Sequence, residues 1–453
     1  MEIVLYKRRW FILLEICLLN FANNMTWITF APISSYTVSF YGKEIAPTLF
    51  NVIFMICSVP LGFVSMWLIS KYGLRAGCLL GAWLNLIGNL LRFYAATEHH
   101  LVADSVELRF YLTLAGQTLA ACAQPFVMYL PTKLASVWFP DSQRVLANSL
   151  GSLSNPLGAA TMYALAPHIV NGESPRAFVV LTGIVAALAV LSAVLSLGVL
   201  SSRPPTAPSV SAQANESEMQ QFGLIQGIKM ALKSRSYIIL MLGLGSGFGI
   251  FNTLYNNLQP ALCSKGYANS FSGAMGATMI VSGLVASSIF GVFVDKTRLF
   301  QETMKVCMCL AALTACVLTV LTQFAGMEIW LLLTIICFGA LALALYPIGL
   351  ELGVETTYPA PEATSTGLLI LTGQIFGITY IFLTAFLRSP PTDAELLVQT
   401  CIKTDNPVGI HNWRNAFIAW NGIIVITAAL FTACFWPKYK RMEYEAVGQN
   451  QQA

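Results

Sequence analysis

Residues 201–221 read SSRPPTAPSVSAQANESEMQQ, a polar, proline-rich stretch that cannot pack as a core. Six long apolar segments precede it, at about 10–40, 47–69, 75–97, 107–136, 144–170 and 177–201. Six more follow, at about 236–262, 270–294, 303–325, 328–350, 363–388 and 414–436. At about 1.5 Å of helical rise per residue, each reaches across a hydrocarbon layer roughly 30 Å thick. Hydrophobic residues make up 56% of the 453 and charged residues 10%, with a mean hydropathy of +0.67. A water-soluble chain of this size lacks the polar groups to cover such a composition, whereas helices in lipid satisfy their own backbone. The fold class is all-α: a polytopic membrane protein of 12 transmembrane helices arranged as 6+6. The first and fourth segments are longest, and Pro32, Pro125 and Pro131 offer places for them to bend.

Basic residues set the orientation. Of the 25 Lys and Arg, 17 fall on the side of the two chain ends, among them Lys7, Arg8, Arg9, Lys296 and Arg298, and 8 on the other. The positive-inside rule then makes both termini cytoplasmic. The net charge of +4 expresses this asymmetry and does not point to nucleic acid. The run Lys7–Arg9 opens a segment far longer than a signal-peptide core, so it should remain as an anchor. The chain thus divides into an N-terminal half (1–201), a cytoplasmic linker (202–235) and a C-terminal half (236–437), with a cytoplasmic tail (438–453). A short amphipathic helix at 222–233 is expected to close the linker. The sequons at Asn24 and Asn215 fall inside a span and on the cytoplasmic side, so no N-glycan is expected.

The halves resemble each other. Aligning Pro140 with Pro359 sets Gln143 on Glu362, Leu150 on Leu369, Asn155 on Gln374 and Gly158 on Gly377. Gly73 and Arg75 end the second segment much as GVFVDKTR (291–298) ends the eighth.

Polar side chains facing lipid are costly, so a line of them at helical spacing should face a cavity or a partner helix. Asn20, Asn23, Asn24 and Trp27 share a face of the first segment; Gln117 and Gln124 lie two turns apart on the fourth, Asn148 and Asn155 on the fifth. Asn252, Asn256 and Gln259 line the seventh, with Tyr346 on the tenth and Gln374 on the eleventh. As a set these residues read as the lining of a central cavity. Singly, each amide reads equally as glue between helices, worth about 0.6–2 kcal/mol, and Trp27 as part of an outer aromatic belt. Carboxylates are scarce: Glu15 stands near the inner end of the first segment, and Glu351 and Glu355 near that of the tenth, where gating contacts with Lys133 or Arg144 or plain solvation are the two readings. His99, His100, His168 and His411 fall at outer helix ends and read as solvated. Ring faces attract a weakly hydrated ammonium and amides orient its polar tail, which favours a small organic cation or zwitterion. A phosphate or dicarboxylate would call for intramembrane Arg or Lys.

Most of the 11 cysteines lie in helices as small apolar residues, but Cys263 and Cys401 fall in outer loops, where a disulfide between them is expected. There is no P-loop, H-E-x-x-H or C-x-x-C, so the residues support neither an enzyme nor a metal or other cofactor.

The 6+6 plan is similar to that of the major facilitator superfamily, with pseudo-symmetric halves. Its G-x-x-x-D-x-x-[GT]-[RK] signature is matched by Gly291, Asp295 and Arg298; the first copy has Met66 and Ser70 in place of glycine and aspartate. Within it, YKRRW and NNMTWITFAPI near the first segment, GQTLAACAQ and KLASVWFP at the fourth, and GLELGVETTYPAPEATSTGLLILTGQIFGI through the tenth and eleventh resemble the feline leukaemia virus subgroup C receptor-related family, solute carrier family 49. The resemblance covers nearly the whole transmembrane chain and is nearest to the family's smaller branch. It implies facilitated movement of choline, and of ethanolamine, with an older assignment to haem export. It also implies that Trp27 faces the ammonium and that Asn23, Gln117 and Gln374 line its pocket. The family's cage tyrosine on the seventh helix falls near Gly249, leaving Phe248 or Phe251 to supply a ring.

The expectation is a facilitative uniporter working by alternating access, a monomer in the plasma membrane whose partners are the bilayer and a small solute. Gating is expected from Arg75, Asp295, Arg298, Glu351 and Glu355. A proton-coupled antiporter, an exporter of haem or another small solute, and a non-transporting receptor or scaffold are the alternatives.

Overall fold

Pro32 decides how the first apolar segment is built. In the computed structural model, α1 (Arg8–Ile28) ends before a 3₁₀ turn (Ala31–Ile33) carrying the proline in its first turn, and α2 (Ser34–Tyr41) continues to Gly42, whose φ of +63° ends the segment. Proline fixes φ and has no N–H to give, so the segment bends there. The structure describes residues 5–97, 105–172, 174–206, 224–358, 360, 362–392, 395 and 411–439. There follow α3 (Ala46–Tyr72), α4 (Leu74–Ala96), α5 (Val106–Trp138), α6 (Asp141–Ile169) and α7 (Pro175–Ser196). After the linker come α8 (Leu224–Lys233), α9 (Arg235–Cys263), α10 (Asn269–Thr297), α11 (Phe300–Leu321), α12 (Glu328–Thr357), α13 (Glu362–Leu387) and α14 (Arg414–Cys434). The amphipathic α8 lies where the linker sequence placed a helix.

Among the described residues, ten helical stretches are long and apolar enough to cross a membrane. α5 and α6 are not among them. Gln117 and Gln124 dilute the first, and Asn148, Ser152, Ser154 and Asn155 the second. Both carry prolines inside the helix, two in each, so the bends expected at Pro125 and Pro131 fall within continuous helix.

Small residues set the crossings. A Cβ at Gly88 of α4 would stand 2.7 Å from the Ala120 nitrogen of α5, and one at Gly249 of α9 2.8 Å from the Gly377 nitrogen of α13. Gly158 of α6, aligned with Gly377 in the repeat, meets the Phe21 carbonyl of α1 just as closely. Backbones therefore touch where helices without a hydrophobic drive between them must gain their packing.

The apolar core is divided unevenly along the helices. We call the end where α7 runs into the linker and α9 leaves it the linker end, and the opposite one the far end. At the linker end two clusters stand apart: one built on α1, α3–α6 and Val199 just past α7, around Ile12, Leu74, Val127 and Trp138, the other on α8–α14 around Tyr237, Met304, Leu352 and Phe431. At the far end a single cluster draws on both sets, joining Trp27, Phe50 and Tyr163 to Phe251, Tyr255, Met279 and Trp413.

Candidate functional site

Trp27 sits in the last turn of α1, 7% exposed, with its indole N–H donated to the Asn51 carbonyl of α3 at 3.1 Å. That bond fixes the ring, which meets Tyr255 of α9 edge-on, centroids 6.3 Å apart at 87°. Tyr255 in turn lies edge-on to Phe251 (4.6 Å) and tilted against Tyr163 of α6 (6.1 Å), whose hydroxyl donates to the Tyr255 carbonyl. Phe338 of α12 stacks beyond Phe251 at 6.1 Å. Rings from both helix sets thus close together at one level. Edge-on pairs of this kind contribute about 0.5–1.5 kcal/mol beyond burial.

The amides divide into two groups. Asn23 and Gln117 are fully buried inside the first set: Asn23 donates to the Asn85 amide oxygen and the Ala120 carbonyl, both at 3.0 Å, and Gln117 to the carbonyls of Phe50 (2.9 Å) and Thr26 (3.3 Å). Asn20 likewise donates to the Val127 carbonyl at 3.2 Å. These side chains tie α1 to its neighbours. The second group is less completely bonded or lies against the other set. Asn24 donates to the Asn155 amide oxygen, leaving its own oxygen and the Asn155 nitrogen without partners. Asn252 of α9 and Met55 of α3 both meet Gly377 of α13, and Gln374, one turn before that glycine, is buried. Gln124 accepts from Ser58 at 2.8 Å. At the far end, Gln259 donates to Asn269 (2.6 Å) and, across the sets, to Ser35 (3.0 Å).

Phe248 and Tyr346 stack at 5.5 Å and 21°. With Ser246, Phe251 and Phe338 they line a crevice of about 60 Å³ in the second set. Position 249 cannot contribute a ring there: a Cβ on Gly249 would lie 2.7 Å from that of Phe376, so the residue points into α13. The second-set ring that meets Trp27 is Tyr255, which the sequence reading did not select. It stands one turn beyond Phe251, on a helix already singled out for its asparagines.

Among the described residues no charged side chain is seen against these rings. A charged contact between the sets lies at the far end, where Glu44, in the turn before α3, meets His411 (3.1 Å) and Arg388 (3.9 Å). Burial pulls the Arg388 guanidinium below its usual range, and Glu44 opposes this. Nearby, Lys265 pairs with the buried Glu395 at 2.8 Å. Of the expected gating group, Arg75 is exposed at the start of α4 and its N–H donates to Ser202 at 3.1 Å. Arg298 is exposed in a left-handed cap ending α10 (φ 59°). Glu351 is exposed and Glu355 buried at the linker end of α12, while the side chains of Asp295 and Arg144 lie outside the described residues. Cys263 is disulfide-bonded, and Cys401 lies outside the described residues; every other described cysteine is free. Glu15 lies two turns inside α1 rather than at its end. It is fully buried, with one oxygen accepting from Ser192 at 2.9 Å and the other without a partner.

Residues 16–380 match the family described as the Major Facilitator Superfamily. The chain is 36% identical to solute carrier family 49 member A3 of Xenopus tropicalis, over 96% of this chain and 89% of that one. It is 30% identical to the choline/ethanolamine transporter flvcr2a of Danio rerio, over 83% of this chain and 80% of the other. The fold superposes on the crystal structure of a D-xylose-proton symporter with a TM-score of 0.71 at 14% identity, covering 96% and 99% of the two chains.

Proposed function

Because the chain belongs to the major facilitator superfamily and, within it, to solute carrier family 49, we propose that it moves a small organic amine of the choline or ethanolamine kind by facilitative uniport. The observation that carries this reading is the Trp27–Tyr255 ring pair, one ring from each helix set, beside amides and with no charged side chain seen against it among the described residues. Ring faces attract a cation that keeps little of its water, and Asn24, Asn155, Asn252 and Gln374 offer hydrogen bonds to a hydroxyl or amine tail. The name of the relative in Danio rerio supports the same solute class. In this reading twelve helices span the plasma membrane with both termini cytoplasmic, and the halves 1–201 and 236–437 rock about the site. The linker end is the cytoplasmic one, so the core shared by the two sets is the outer seal in this reading.

Uptake of labelled choline and ethanolamine into proteoliposomes, at clamped pH, tests it. Saturable uptake that Trp27→Ala and Tyr255→Ala each reduce at least tenfold is the expected result. Folded protein that takes up neither solute would end the amine assignment.

The unpartnered carboxyl oxygen of Glu15 favours a second reading, proton-coupled antiport, since buried carboxyls serve pumps as proton carriers. Under uniport, Glu15→Gln leaves uptake independent of an imposed pH gradient, as in the wild type. Uptake driven by the gradient, and lost in Glu15→Gln, would instead establish coupling.

A further inference from the structure

Arg92 lies on α4, in the first helix set, and is 1% exposed. Its side chain runs back along the helix, and Nη1 donates to the Asn89 amide oxygen at 2.7 Å. The Phe30 ring covers one face of the guanidinium, 5.1 Å from its carbon. The other edge is different. Nε and Nη2, whose parallel N–H bonds form the fork that grips oxyanions and halides, are both buried without an acceptor. The Tyr41 hydroxyl accepts from Thr113 at 3.3 Å, which leaves its own proton to donate, and it stands within electrostatic reach of both Arg92 and Arg109.

A guanidinium keeps its proton when buried, so the charge has to be compensated where it stands. No ion pair involves Arg92 among the described residues. A neighbouring ring attracts the cation without cancelling its charge. Water would satisfy the free N–H groups and leave the charge as it is. An anion does both. We infer that the Nε/Nη2 fork of Arg92, with the Tyr41 hydroxyl, holds a small monovalent anion of chloride size inside the first helix set. The size limit follows from the packing: Gly88 and Gly116 keep α4 and α5 in backbone contact beside Arg92, and a Cβ on Gly116 would lie 2.8 Å from the Arg92 Cγ. A larger organic acid would have to part these helices.

Thermal unfolding of the full-length protein, in chloride and in gluconate at equal ionic strength, tests the site. Chloride should raise Tm saturably, by about 2 °C or more, and bromide should replace it. Arg92→Gln removes the cation and should abolish the difference. Should that variant fail to fold, Asn89→Asp decides alone. It sets a carboxylate in place of the amide oxygen 2.7 Å from Nη1, so the charge is balanced from within and the anion response should vanish in a folded protein. Equal Tm in chloride and gluconate for the wild type overturns the proposal. So does an anion response that persists in Asn89→Asp.

Discussion

Asn23 and Glu395 show how much a single side chain can decide in this fold. Asn23 spends both amide protons on α4 and α5 and is fully buried. Asn23→Leu should therefore cost stability, about 1–3 kcal/mol for the acceptors left unpaired. It should lower Tm while KM for transported solute stays near the wild-type value. Glu395 is a charged counterpart. Burial pushes its carboxyl up, but the Lys265 and Thr392 hydrogen bonds outweigh it and hold the group below the usual range. Unfolded, it protonates at the ordinary pH, so the pair stabilises the protein fully above that range. The gain is lost as pH falls through the folded value. Tm followed from neutral to acid pH should accordingly fall further in the wild type than in Lys265→Met. That these asparagines and glutamines would be buried was legible in their spacing. Which face of the helix met protein and which met the inter-set boundary was not, because both hide a polar group from lipid equally well. Tyr255 was missed for a related reason: a tyrosine in an apolar helix looks the same as packing until a ring from the other set is found opposite it.

Elements were read more completely than residues, since length and hydropathy are properties of whole segments. The proline at 32 announced the bend that divides α1 from α2, and the linker composition announced α8. The crossings were less visible. Glycine is common in membrane helices, and only the structure distinguishes Gly249, wedged against α13, from Gly247, which faces open space. This gives a sharp expectation at the position where the family resemblance suggested a missing aromatic. Gly249→Tyr should not rebuild a cage; it should part α9 from α13. Gly249→Ala should already destabilise by about 1–3 kcal/mol through overpacking, whereas Gly247→Ala should be near neutral. Yield of folded protein and Tm, compared across the three variants, check the order.

At the scale of the molecule, two sets of helices hold one core in common at the far end and separate cores at the linker end. Pro167 of α6 and Gly273 of α10 lie where the sets join, a Cβ on the glycine falling 2.7 Å from the proline Cγ. A Cβ on Gly273 would also run into the Tyr163 carbonyl, so a crosslink belongs at the rim of the same end, between Glu44→Cys and His411→Cys, whose native side chains meet at 3.1 Å across the sets. A short bifunctional thiol-reactive reagent should lock the far end and abolish transport; undiminished transport by the crosslinked protein would show that this end need not open. The shared core also carries a thermal consequence. Opening the far end wets Trp27, Tyr163, Phe251 and Tyr255, and exposing apolar surface raises the heat capacity of the open form. The drive that keeps such surface dry weakens on cooling. Cold should therefore loosen this seal while leaving the hydrogen-bonded interior of each set in place, so that the balance between the two openings becomes a function of temperature.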